Sequence, residues 1–237
     1  MDPFLLNILE DNLTTIKCVM KTDGSLTKKT SSLSKRINYV LSLLLILGVY
    51  NFIKIIFKKI ICKFKSNPIK KYCLKNGINY IECKTINSEK SKKWLQSQSL
   101  DVVFNQSQHI VKKEIIDIPN IGMINRHGSL LPKYRGLLSP FWHLKNKEKI
   151  GGISFHFLNS KIDEGKIIWQ KKIPINKGDT VNTLIKKIFV EARSGFKETI
   201  IILRNKNYKI TLIENRNEDS TYFKSPTLKD AFEYKFK

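Results

Sequence analysis

An α/β fold with a mainly parallel sheet is what this sequence predicts, and three observations predict it. Short runs rich in β-branched and aromatic residues alternate with stretches whose apolar residues recur at helical spacing. Gly, Pro, Asn and Asp cluster at the junctions. Apolar residues make up 41 % of the 237, enough to bury a core. The mean hydropathy of −0.26 excludes a chain built mostly of membrane spans.

Taken in order, Asp2 to Asn12 reads as an amphipathic helix capped by Asp2, with Pro3 in the first turn. Thr15 to Lys21 alternates as a strand does and ends at the Asp23-Gly24 turn. Pro68 to Asn76 forms a short helix stopped by Gly77. Asn79 to Cys83 is a strand, and Ser88 to Ser97 a helix with Trp94 and Leu95 turned inward. Leu100 to Asn105 is a buried strand, Val111 to Ile116 a helix before Pro119, and Gly122 to Asn125 a further strand. Ile153 to Leu158 and Lys166 to Ile175 alternate on either side of a loop carrying Asp163, Glu164 and Gly165, so they read as a hairpin. Thr180 to Leu203 is the longest helix, capped by Asp179 or Thr180. Tyr208 to Ile213 reads as a last strand, and Asn215 to Lys237 as a polar tail along the surface.

Charge sets one segment apart. The formal net charge is +23, from 43 Lys and Arg against 20 Asp and Glu. This excludes an acidic disordered protein and points to an anionic partner: nucleic acid, a phosphorylated substrate or an anionic lipid surface. A lysine-rich composition of the AT-rich kind produces the same excess without a partner, and both readings stand. No acid occurs between Gly24 and Ile81, where twelve residues are basic. Within that stretch an apolar run from Val40 to Ile53 is followed by IIFKKIICKF. A bilayer span needs about 20 apolar residues, and Lys54 stops the run short of that. Residues 35–65 therefore read as a buried helix hairpin with its lysines in water, or as a basic amphipathic helix lying in a membrane surface, with a true span the least favoured of the three.

The four cysteines, Cys18, Cys62, Cys73 and Cys83, have no metal or redox spacing and fit structural positions in a reducing compartment. The first residues carry acids where a secretory signal is basic, so the expected location is cytoplasmic, peripheral to the inner face of a membrane if residues 35–65 attach there.

Chemistry concentrates in INRHGSLLPKYRG. Asn125 and His127 are two residues apart in an extended segment, so both project to one side, at the carboxyl end of a strand where open α/β sheets bind ligands. No third residue nearby has metal-ligand spacing. His156 and Asp163 lie across the hairpin turn, an arrangement in which an acid orients an imidazole and stabilises its charged form. His143 reads as an ordinary structural histidine.

Together N-x-H-x-S-L-L-P-x-Y-R-G and the later H-x-x-x-x-x-x-D-x-G resemble the N-formyltransferases that use 10-formyltetrahydrofolate. That family includes methionyl-tRNA, glycinamide ribonucleotide and sugar-nucleotide N-formyltransferases. The likeness runs closely from Leu100 to Ile201 and more loosely back to Asp2. It implies a Rossmann-like domain, here with a basic apolar helical insert. It also implies attack of a primary amine on the formyl carbon of 10-formyltetrahydrofolate, with no metal. By position Asn125 would bind the formyl oxygen, His127 would stabilise the oxyanion and shuttle a proton, and Asp163 would hold His127 and receive the amine's proton through water. Ser129 and His156 would support them. Gln108, His109, Ile110 and Val111 would meet the pterin, with Leu158 and Ile162 closing its other side.

The resemblance also frames three departures. The family's opening strand and glycine-rich turn have no counterpart before the Asp2 helix, so a truncated chain or an upstream start is expected. The catalytic domain is expected over 1–205 and a short extension over 206–237, too short for the added β-barrel of the tRNA-specific members. Residues 35–65 replace a shorter, more polar stretch. A small amine acceptor of the amino-sugar type is therefore favoured over methionyl-tRNA, and peripheral membrane contact through residues 35–65 is the further partner expected. The rival of another class is an inactive or membrane-associated binding protein on the same fold.

Overall fold

A computed structural model describes residues 3–12, 14–23, 33–64, 67–107 and 109–236. The expected Asp2 cap, the glycine of the Asp23-Gly24 turn and Gln108 lie outside them. The chain forms two compact units, Met1–Leu26 with Ile56–Ile124, and Thr27–Ile55 with Asn125–Lys237.

In the first unit the helical spacing of the opening residues becomes α1 (Pro3–Asp11), followed by β1 (Cys18–Thr22). The basic segment forms α2 (Leu33–Leu47), which belongs to the second unit, and α3 (Val49–Phe64), which runs from the second unit into the first. Next come α4 (Pro68–Lys75), β2 (Asn79–Cys83), α5 (Glu89–Ser97), β3 (Val102–Asn105) and α6 (Lys113–Ile116). Side-chain oxygens start two of these helices: Asn67 accepts from the Ile69 N–H, and Ser88 from the Ser91 N–H. β1 and β2 pair in parallel, Cys18 opposite Asn79 through Thr22 opposite Cys83. Leu9, Cys73 and Ile78 form a core beneath them, with Val19, Tyr72 and Tyr80 packed against it. Burial pushes the Cys18 thiol up to about 11, which leaves it unreactive at neutral pH.

β4 (Gly122–His127) begins in the first unit beside β3 and ends in the second, where β6 (Ile150–Phe157) and β7 (Ile167–Pro174) follow it in strand order. Between them lie β5 (Arg135–Gly136) and α7 (Ser139–Lys145). β6 and β7 make the expected antiparallel hairpin, with a bulge between Phe155 and His156. α8 (Val181–Arg204) is capped by Thr180, whose hydroxyl accepts from the Thr183 N–H while Thr183 returns a bond to the Thr180 N–H.

Two expectations fail after Arg204. Tyr208–Thr211 is a 3-10 helix, not a strand, and only Ile213 pairs, as an isolated antiparallel bridge with Ile167. The alternation there has no apolar face to bury, since Ile210 is 83 % exposed. Nor does the last segment merely follow the surface. β8 (Tyr222–Phe223) pairs in parallel with β5, and α9 (Leu228–Phe236) buries Ala231 completely. Ala231 joins Ile46, Tyr134, Phe141, Trp142 and Val181 in the core of the second unit, with Phe223 and Tyr234 against them.

α2 is both core and surface. Ile46 is buried in that cluster with Leu45 and Leu47 beside it, so the buried-hairpin expectation holds for its last turn. Elsewhere it fails: Leu33, Ile37 and Val40 in α2 and Tyr50, Ile53, Phe57 and Ile60 in α3 are exposed. The two helices meet at Gly48 with a bend of 116° over Arg36–Leu47 and Val49–Phe57. No single helix among the described residues is long and apolar enough to cross a membrane.

Candidate active site

The end of β4 places Asn125 and His127 on one side of the strand, as two-residue spacing requires. The Phe155/His156 bulge re-aims His156 toward them. The β6–β7 loop brings in Asp163 at a left-handed φ of 54°, a region that short polar residues tolerate and that costs about 1–3 kcal/mol. Gly165 makes that loop possible: a Cβ there would lie 1.8 Å from the Phe157 carbonyl oxygen. The last glycine of the first motif is needed in the same way. Gly136 has φ +96°, and a Cβ on it would lie 2.2 Å from the Phe223 carbonyl oxygen.

These segments converge on one carboxylate. Asp163 Oδ2 accepts from the Gly136 N–H at 2.9 Å and lies 3.5 Å from His127 Nδ1. Its Oδ1 lies 3.5 Å from His156 Nε2, and that nitrogen is 3.4 Å from Asn125 Nδ2. The remaining imidazole nitrogens are spoken for by backbone carbonyls. His127 Nε2 donates to Tyr134 at 2.7 Å, and His156 Nδ1 to Phe157 at 2.9 Å. These carbonyls fix the tautomers, so in each neutral ring the nitrogen facing Asp163 carries the lone pair. The site can therefore take up a proton between Asp163 and either histidine.

Burial and neighbouring charge oppose each other at both groups. Burial holds the His127 imidazole below its ordinary range, against the pull of Asp163 in the other direction. For Asp163 burial works to raise the carboxyl, but the His127 charge, the His156 hydrogen bond and the Gly136 N–H outweigh it and hold the group well below the usual carboxylate range.

Ser129 supports the site from below. Its hydroxyl donates to the Lys133 carbonyl at 2.8 Å, closing the turn that delivers Tyr134 to His127. The Ser154 hydroxyl donates to the Ser129 carbonyl at 2.6 Å and accepts from the Leu131 N–H, and Gln170 donates to the Leu131 carbonyl. His143 is a core residue: buried, stacked on Tyr134 with ring centroids 4.1 Å apart, and bonded through Nδ1 to the Ser139 carbonyl at 2.6 Å.

The residues expected around a pterin are distributed between the units. In the first, His109 Nε2 bonds the Asp23 carbonyl at 2.7 Å, Ile110 is exposed, and Val111 is buried. Asn87 holds that loop, donating to the Ile110 carbonyl and accepting from the Lys112 N–H. In the second unit Leu158 is half-buried and Ile162 exposed. Sequence reasoning passed over Asn87 and Asn215, whose asparagines look like any others in an Asn-rich chain. Arg135 enters the sequence motif without a role of its own. Arg135 is in fact buried, bonding Asn215 and Asn217 and lying 3.5 Å from Glu164.

A strand-end asparagine amide can donate to a carbonyl oxygen, and a carboxylate beside two imidazoles can exchange a proton with them. Residues 59–200 match the formyl transferase family, and the chain belongs to it. Among its relatives is the bifunctional polymyxin resistance protein ArnA of Wigglesworthia glossinidia brevipalpis, 36 % identical over 70 % of this chain and 25 % of its own length. A methionyl-tRNA formyltransferase of Ruminiclostridium cellulolyticum is 27 % identical over 70 % of this chain and 52 % of its own. The chain thus spans from a quarter to about half the length of these two curated relatives. Among solved structures, glycinamide ribonucleotide transformylase 1 of Symbiobacterium toebii superposes with a TM-score of 0.52 and 26 % identity, over 56 % of this chain and 66 % of that one. A sugar N-formyltransferase from a Shewanella species has a TM-score of 0.51 at 24 % identity, over 67 % of this chain and 60 % of that one, a likeness of fold.

Proposed function

We propose that the protein transfers the formyl group of 10-formyltetrahydrofolate to a primary amine, on an amino sugar or a related small acceptor. The observation that carries the reading is the Asn125–His156–Asp163–His127 cluster. When bound, the folate supplies the formyl group on N10. The Asn125 amide has a hydrogen to donate to the formyl oxygen, where negative charge develops as the amine nitrogen bonds the carbon. That nitrogen becomes positive and must lose a proton. Asp163 accepts it through water, sharing it with His127 Nδ1, and the charge gained by the imidazole stabilises the oxyanion in turn. The carbon–N10 bond then breaks, N10 takes up a proton, and the products are the formamide and tetrahydrofolate. In the second unit, Leu158 and Ile162 are the residues that would meet the pterin.

Thermal unfolding with a non-reactive 10-formyltetrahydrofolate analogue tests the donor. A ligand of the native state at 100 times its Kd stabilises by about 2.7 kcal/mol. A raised Tm, reduced in Asn125→Ala, supports the reading; an unmoved Tm in a folded sample favours the inactive scaffold. A net charge of +23 fits an acceptor carrying phosphates, and it fits methionyl-tRNA as well. Transfer to aminated nucleotide sugars but not to methionyl-tRNA is expected, and the reverse would establish the tRNA acceptor.

A second reading concerns where the reaction takes place: residues 35–65 attach to an anionic bilayer on the cytoplasmic side. It is supported by the exposed stripe Tyr50, Ile53, Phe57, Ile60 and Ile61 on α3, at helical spacing, in a segment whose only charges are basic. Co-sedimentation with phosphatidylglycerol vesicles, weakened by salt and lost in Phe57→Asp, is the expected result. Equal recovery with phosphatidylcholine vesicles, or none with either, removes it.

A further inference from the structure

We propose that Asn215, from the segment after α8, is a positioning residue for Asp163, so that this segment completes the proton-accepting site. The inference rests on the reading of Asp163 as the group that takes up the proton. Residues 206–237 read from the sequence as an extension outside the catalytic domain, yet Asn215 is among the buried polar residues, 9 % exposed. Its Nδ2 donates to the carbonyls of Asp163 at 2.8 Å and Gly165 at 2.9 Å. The first carbonyl belongs to the residue whose carboxylate meets both imidazoles and whose backbone is left-handed, and the second lies two residues further along the same loop. A backbone in that region drifts unless its neighbours fix it from outside. Asn215 does so with both hydrogens of a single amide.

The same side chain is itself held. Its Oδ1 accepts from Arg135 Nη2 at 2.8 Å, its carbonyl accepts from the same nitrogen at 3.0 Å, and Arg135 Nη1 reaches Asn217 Oδ1 at 2.7 Å. Arg135 precedes Gly136, whose N–H is the direct donor to Asp163 Oδ2. A few residues on, the segment fixes that donor too. The Arg135 N–H bonds the Thr221 carbonyl at 2.9 Å, the Tyr134 N–H bonds the Thr221 hydroxyl at 2.8 Å, and the Leu137 N–H bonds the Phe223 carbonyl at 2.9 Å. One stretch of chain thus sets both the carboxylate and the N–H that orients it. Displacement of Asp163 by even 1 Å would lengthen the approach to His127 Nδ1 and His156 Nε2 together.

The test uses the full chain with Asn215→Ala and Asn215→Asp. The aspartate variant keeps an oxygen for Arg135 and places another against the two carbonyls, so it separates the loop contact from the anchoring. The first readout is titration of the His127 ring protons by NMR, with Asp163→Asn as reference. Both Asn215 variants are expected to move its midpoint in the direction that Asp163→Asn moves it. The second is kcat and KM for formyl transfer, where kcat is expected to fall at least tenfold with KM for 10-formyltetrahydrofolate within about twofold. A His127 titration superimposing on the parent's in either folded variant overturns the proposal. A parent that transfers no formyl group, with the titration moved as expected, overturns the formyl-transfer reading and leaves the positioning role standing.

Discussion

The proposed chemistry turns on Asp163, which among the described residues is the one that meets both imidazoles and a backbone N–H. Replacing it with Asn keeps the shape and removes the proton acceptor, so kcat should fall about 100- to 10,000-fold with the protein still folded. Single-turnover kinetics check this; a loss under tenfold would place the proton acceptor elsewhere. The buried histidines carry a pH signature. Burial lowers both His127 and His143, so the unfolded chain binds the protons first as pH drops through about 6.5. The stability they contribute is complete above that value and is lost on acidification. Urea unfolding from about pH 8 to pH 5 should show it, and His143→Gln should flatten the slope. Asp163 is depressed as well, so its contribution persists above about pH 4 and is lost below. At this scale the sequence was informative where residue type and spacing carry the geometry. Two-residue spacing puts Asn125 and His127 on one face of a strand, and a short hairpin loop faces an acid to a strand-end histidine. It was silent on Asn215 and on the backbone carbonyls that fix the histidine tautomers, because those contacts join positions far apart in the chain.

Among the elements, the β6–β7 loop depends on a close approach to Phe157 as well as on its hydrogen bonds. Gly165→Ala would push a methyl into the Phe157 carbonyl, and the loop carrying Asp163 would have to move. A loss of about 3 kcal/mol in urea unfolding is expected, with activity falling further than stability alone explains. An alanine variant as stable and active as the parent would contradict the loop geometry. Thr180→Ala should cost about 1 kcal/mol through the cap of α8. β2, α8 and the hairpin were legible because periodicity, caps and turn residues agree there. Tyr208–Thr211 was not, since a short alternating run reads the same whether or not a sheet waits to pair with it. β5, α7, β8 and α9 were missed for a related reason: two-residue strands and short helices carry too little pattern to register, and tertiary pairing alone defines β5 with β8.

For the molecule as a whole, family membership, charge and the exposed apolar stripe of α3 are separate facts that one function has to accommodate. Membership leaves the acceptor open, because the proteins this chain resembles include methionyl-tRNA, glycinamide ribonucleotide and sugar N-formyltransferases. Charge acts through the solvent, so acceptor or vesicle binding that depends on it should weaken steeply as salt rises. The stripe acts through burial and should be indifferent to salt once docked. The central claim is that the cluster around Asp163 moves a formyl group, and transfer itself tests it most directly. The purified chain is incubated with 13C-formyl-labelled 10-formyltetrahydrofolate and a panel of amine acceptors, and the label is followed by NMR. The account predicts a labelled formamide on one acceptor class, with the rate collapsing in Asp163→Asn and Asn125→Ala. Label that stays on the folate with every acceptor, or transfer at the parent rate by the Asp163 variant, would contradict it.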